Sequence, residues 1–173
     1  MEVLEGVGSF IKTIMRNTHF IIILFFAFIC RNFGQESNFP KPLGFVNDFE
    51  KILNQEEVTK LESLLINYEK QTSNEIVIVT ISETLNESDF DTYALKLAQN
   101  WEVGKKGKDN GLVIVISNRL KNIRICTGNG TEKILTDEIC ETILQETILP
   151  YFQNGKMYIG IESGINALIE KWK

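Results

Sequence analysis

The sequence predicts an α/β fold: a compact sandwich with a central mixed β-sheet, a parallel pair plus one antiparallel strand, covered by about four helices. Three observations carry this. Residues 75–82 (EIVIVTIS) and 112–117 (LVIVIS) are continuous, largely β-branched runs of strand length, the pattern of strands buried on both faces. The segments around them repeat apolar residues at helical spacing. A five-residue turn, NRLKN, then leads from the second run into IRICTG.

Each element follows in order. Residues 36–44, with two prolines and no periodicity, read as a linker, and FVNDFEKIL follows with no assigned element. Asn54 opens a helix with Glu57 three residues on, a capping-box pair. Val58, Leu61, Leu64, Leu65 and Tyr68 form its apolar stripe. A second helix begins near Ser88 and carries Phe90, Ala94, Leu97, Ala98 and Trp101. In the third strand Ile123, Ile125 and Thr127 alternate with Arg124 and Cys126, so one face is expected to be more exposed. Thr136 caps a third helix that Pro150 is expected to end. A last helix carries Ile161, Ile165, Leu168, Ile169 and Trp172.

Residues 1–35 read as a secretory signal peptide. Lys12 and Arg16 precede the apolar run FIIILFFAFIC at 20–30, and polar RNFGQES follows. The run is shorter than the roughly 20 residues a membrane-spanning helix needs. An uncleaved N-terminal anchor is the other reading, and Met15 offers a second start within the long leader. The bulky Ile29 before Cys30 speaks against a lipoprotein.

Composition narrows the function. The full chain carries 18 Lys and Arg against 23 Asp and Glu, a net −5, which lacks the footprint of a nucleic-acid binder. Three of those basic and two of those acidic residues fall in 1–35, leaving −6 beyond it. The one histidine, His19, falls there too. A mature domain would then have no imidazole, which excludes Ser–His and Cys–His nucleophilic catalysis and histidine-ligated zinc. Cys126 and Cys140 sit in apolar patterns and read as small buried hydrophobes, although an exported setting would permit a disulfide between them.

Topology directs attention to one rim of the sheet. Strand, helix, strand makes the first two strands parallel, so their starting ends, at Glu75 and Gly111, share an edge. The third strand returns antiparallel and brings TGNGTE (127–132) back to it. The third helix starts nearby, at Thr136 and Asp137. The loop WEVGKKGKDNG (101–111), TGNGTE and that helix front should therefore converge. Asp109, Asn110, Glu132 and Asp137, with carbonyls from the glycine-rich turns, make an all-oxygen donor set, the kind that hard cations such as Ca²⁺ or Mg²⁺ take. Asp48 supplies a further carboxylate if its segment packs here. Without a metal, Asp-Asn-Gly is a turn former and Asp137 complements a helix dipole. Lys105 and Lys108 beside glycines suggest a phosphate site, or a solvated loop. No Walker motif or dinucleotide fingerprint is present, so no nucleotide is expected.

Taken in order, FVNDFEKILNQEEVTKLESLL, TSNEIVIVTI, WEVGKKGKDNGLVIVIS, IRICTGNGTEKILTD and ILPYFQNGKMYIGIESGINAL resemble the TPM domain family across residues 45–173. The W-x-x-G-x-x-G-x-D-N-G stretch is complete as Trp101, Gly104, Gly107, Asp109, Asn110 and Gly111. The family's G-Y-G-L-E-G segment is altered here to Gly128-Asn129-Gly130-Thr131-Glu132-Lys133. The resemblance implies a compact α/β sandwich, exported to the periplasm or the extracytoplasmic face of a membrane. It implies Ca²⁺ binding at Asp48, Asp109, Asn110 and Glu132, with Asp137 behind them, and a membrane or envelope protein as partner. A monomer is compatible with it. Two functions follow: a calcium-binding module that maintains membrane proteins, or a metal-assisted phosphatase acting on phosphomonoesters.

Overall fold

The computed structural model describes residues 39–81 and 89–173. The leader at 1–35, with His19 and Cys30, and the expected helix start at Ser88 lie outside those residues.

A four-stranded sheet of order β1-β2-β3-β4 forms the centre. β1 (Val46–Asp48) and β2 (Glu75–Thr80) are parallel, as are β2 and β3 (Gly111–Ser117), and β4 (Asn122–Thr127) is antiparallel to β3. The parallel pair and the antiparallel return are as the sequence predicts. β1 is an addition. Three residues of FVNDFEKIL extend the sheet, too short a stretch for alternation to mark. Its edge is closed by Glu62, whose carboxylate accepts from the Phe45 and Val46 N–H groups at 3.0 and 2.7 Å.

α1 (Gln55–Thr72) is capped by Asn54 and Glu57 in a reciprocal box, which satisfies two otherwise unpaired N–H groups. α2 (Phe90–Trp101) connects β2 to β3. α3 (Asp137–Ile143) starts at the Thr136 cap, then runs unbroken through a π-helical segment (Leu144–Ile148) into α4 (Leu149–Gln153). α5 (Met157–Lys171) closes the chain. Pro150 therefore does not end the third helix. It stands just after the π segment, where the i→i−4 ladder is already interrupted by the wider turn, with Leu149 N–H donating to the Leu144 carbonyl.

Alternation sorts the oily strands between two cores. Ile76, Ile78, Leu112, Ile114 and Ile116 meet α1, α3 and α5 on one face, and Ile123 and Ile125 pack against that core from β4. Val79, Val113, Val115 and Cys126 face α2 on the other. Both faces are covered, which is why the runs are continuous. Cys126 and Cys140 are free, buried, and divided between the two cores. The linker also packs down: Trp101 donates its indole N–H to the Pro40 carbonyl at 2.8 Å, and Phe39 meets the Tyr93 ring edge-on. No helix among the described residues is long and apolar enough to cross a membrane.

Candidate functional site

At the strand-start rim residues 101–111 meet residues 127–132, which is the part of the expected convergence that the contacts show. Glu75 is in register with Gly111, and Leu112 with Thr127. The Asp109 carbonyl accepts from the Gly130 and Thr131 N–H groups at 3.0 and 3.2 Å, and the Gly111 carbonyl from Gly128 N–H at 2.9 Å. These contacts are backbone on backbone, and glycine is what permits them. A Cβ on Gly130 would drive into the Lys108 carbonyl oxygen, and one on Gly111 into that of Val103. Asp109 itself adopts a left-handed backbone, φ 50°, a conformation aspartate enters more readily than most residues other than glycine. Its N–H donates to the Lys105 carbonyl, so residues 105–109 close one turn.

Beside this turn lies an open cleft of about 740 Å³. Leu95, Ala98, Val103, Val113 and Cys126 form its apolar wall, and Glu102, Lys105, Lys106, Asp109 and Asn129 its polar mouth. Burial pushes the Cys126 thiol up from its ordinary value, against an opposing pull from Arg124. That leaves the thiol a protonated part of the wall rather than a nucleophile.

Trp101, Asp109 and Gly111 thus each have a geometric task, and the sequence matches the TPM domain family across residues 46–171. The chain belongs to the TPM domain family. The N-terminal domain of a P. gingivalis protein is similar at 26% identity and a TM-score of 0.64, covering 73% of this chain and 80% of that one. BA42 from the psychrophilic bacterium Bizionia argentinensis shares 22% identity at TM-score 0.59, over 72% and 88% of the two chains. The N-terminal domain of cg2496 from Corynebacterium glutamicum shares the fold at 12% identity and TM-score 0.56, over 81% and 86%. Comparison with curated proteins gave no match.

Within this TPM domain the expected donor set divides. Asp109, Glu132 and Asp137 are exposed, the first two on backbone segments in direct contact. Asn110 is buried and its amide is committed. Its Oδ1 accepts from Lys105 N–H at 2.8 Å, and its Nδ2 donates to the Ser73 carbonyl at 2.7 Å and Asn74 Oδ1 at 3.1 Å. Asp48 is not brought to this rim. It pairs with Thr80 at the far end of the sheet, where its carboxylate accepts from Ile52 N–H, Leu53 N–H and the Thr80 hydroxyl. A short β1 running parallel to β2 places its finishing end there. The rim carbonyls of Lys105, Asp109, Gly111 and Gly128 already accept hydrogen bonds.

Lys105 is also engaged. Its Nζ lies 2.9 Å from Glu69 and 2.6 Å from Glu75, and these hydrogen bonds, Glu75 first, raise its pKa. Glu69 and Glu75 were not legible as site residues. Glu75 stands at the mouth of an oily strand, but nothing in linear order pairs it with a lysine 30 positions later.

A closed cage of about 6 to 8 protein oxygens does not fit this rim. Among the described residues no three His, Cys, Asp or Glu side chains are grouped to hold a metal ion. A cation at this rim would have to take one or two exposed carboxylates, Asp109 and Glu132, with water in the rest of its shell.

Proposed function

We propose that this TPM domain works outside the cytoplasm as an accessory module for membrane or envelope proteins. In this reading it takes a divalent cation, Ca²⁺ ahead of Mg²⁺, at the mouth of the cleft. Asp109 is the principal ligand, Glu132 the second carboxylate, and water completes the shell. The observation that carries the reading is the state of Asp109. It is a non-glycine residue at φ 50°, its carbonyl is tied to Gly130 and Thr131, and its carboxylate is left exposed at the cleft mouth. Export is supported by the basic-then-apolar leader.

With so few charged ligands the affinity belongs to the range of roughly 10⁻⁴–10⁻³ M. The test is thermal melting in Ca²⁺ and in chelator. At a hundred times Kd, cation binding stabilises by about 2.7 kcal/mol, a rise of several degrees. Asp109→Ala should remove most of that rise. A wild-type melting temperature unmoved by Ca²⁺ would overturn the reading.

Phosphomonoester hydrolysis is the alternative. It keeps the exposed Lys106 and Lys108 but loses Lys105, whose charge is already paired with Glu69 and Glu75. Equal hydrolysis of a chromogenic phosphate ester by wild type and Asp109→Ala would remove it.

A further inference from the structure

We infer that Glu69 and Glu75 decide the sign of the ion this rim accepts, by holding the ammonium of Lys105. The inference rests on the cation reading above and adds the residues that set its specificity. Neither glutamate needs to touch the ion.

The geometry is specific. Glu69 lies in the last turn of the long helix α1, Glu75 starts β2, and both carboxylates reach one lysine of the loop. Glu75 is shared: Oε1 meets Lys105 Nζ, and Oε2 accepts from the Gly104 N–H at 2.8 Å. The side chains of Glu69 and Glu75 are 25% and 20% exposed and that of Lys105 45%, so water screens the group in part from the lysine's side. Lys105 and Asp109 share one turn through the Asp109 N–H and the Lys105 carbonyl. A released ammonium would therefore swing within reach of the carboxylate meant for the cation.

The charge balance makes the pair decisive. Glu69, Glu75, Glu102, Asp109 and Glu132 stand against Lys105, Lys106 and Lys108, a net −2. Without the two glutamate charges the same group carries no net charge. A neutral group with three lysines, one of them released, holds Ca²⁺ less well and admits phosphate more readily. The same loop could thus serve opposite ligands, and residues outside it select between them.

The test compares titrations with Ca²⁺ and with inorganic phosphate by calorimetry. Glu69→Gln/Glu75→Gln keeps hydrogen-bonding groups for Gly104 and Lys105 while removing both charges. We expect it to bind Ca²⁺ about tenfold more weakly and to gain phosphate binding that the wild type lacks. Adding Lys105→Met should return Ca²⁺ affinity towards wild type and abolish the phosphate binding. Lys105→Met alone should tighten Ca²⁺ severalfold, and this variant decides the matter if the double variant does not fold. Each shift should shrink in 1 M salt, where the screening length falls to about 3 Å, which a merely structural tether would not do.

Wild-type Ca²⁺ affinity in the double variant, or an unmoved affinity in Lys105→Met, would overturn the inference. If the wild type takes up no Ca²⁺, the cation reading falls by itself. The phosphate titration then decides: a gain in the double variant keeps the charge-holding role, and no gain overturns it.

Discussion

Asn110 uses both ends of its amide inside the fold, and the consequences are specific to an amide. Its Oδ1 fixes the start of the turn at Lys105, and its Nδ2 grips the left-handed Ser73 that ends α1. Asn110→Ala should destabilise by about 1–3 kcal/mol, the cost of orphaning those groups. Asn110→Asp should cost more, because a carboxylate would face the Ser73 carbonyl and Asn74 Oδ1. Chemical denaturation of both variants checks the order, and an aspartate variant as stable as wild type would contradict it. The Asn-Gly half of the motif is thus structural and its aspartate is free. Letters alone could not separate the two, since Asp and Asn both suit turns and both suit hard cations. Titration also has a residue-scale signature. Burial first, then Asp137, pushes the Cys140 thiol from 9.0 up to about 11. The unfolded thiol therefore ionises first, and stability falls as pH rises from about 9 to 11, by roughly 2–3 kcal/mol. Lys105 is raised as well, so its contribution is present below its ordinary value and is lost only as pH climbs through the folded value. Cys140→Ala should flatten the melting-temperature slope between pH 9 and 10.5, and an unchanged slope would refute this assignment.

At the scale of elements, two junctions hold pieces whose sequence signals are weak. The first is the seat of the π segment on α5. A Cβ on Gly164 would meet the Ile148 side chain, and one on Gly160 would meet the Phe152 ring at 2.8 Å. Gly164→Ala should cost about 1–3 kcal/mol by overpacking, and Ile148→Val in the same chain should recover part of it in a double-mutant cycle. Additive effects would mean the two do not touch. The second junction is β1. Its three residues join the sheet because Glu62 satisfies the backbone of Phe45 and Val46 from α1. Glu62→Ala should raise hydrogen exchange at those two amides well above that in β2 and β3. Helix caps at Asn54 and Thr136 were legible because capping is local chemistry. β1 was not, because what stabilises it lies 16 and 17 residues away.

Across the whole molecule, the two ends of the sheet do different things. At the far end Asp48 ties β1 to Thr80 and to the chain at Ile52 and Leu53, while Glu50 accepts from Asn118 and Arg119 N–H. At the strand-start end the aspartate is exposed beside a cleft. Asp48→Ala should therefore lower stability by about 2 kcal/mol and leave the Ca²⁺-dependent rise in melting temperature intact. Asp109→Ala should do the reverse. Loss of the Ca²⁺ response in Asp48→Ala with a folded domain would argue that the ends are coupled. The sequence by itself determined the α/β class, the parallel pair with its antiparallel return, the two good helix caps and the meeting of residues 101–111 with 127–132. Periodicity, capping and connection rules are local or topological, and they need no coordinates. Tertiary structure alone decided that Asp48 stands at the opposite end, that Asn110 is already bonded, and that Lys105 belongs to Glu69 and Glu75. Those facts depend on where side chains from distant segments point, and the spacing of residues along a chain carries no record of that.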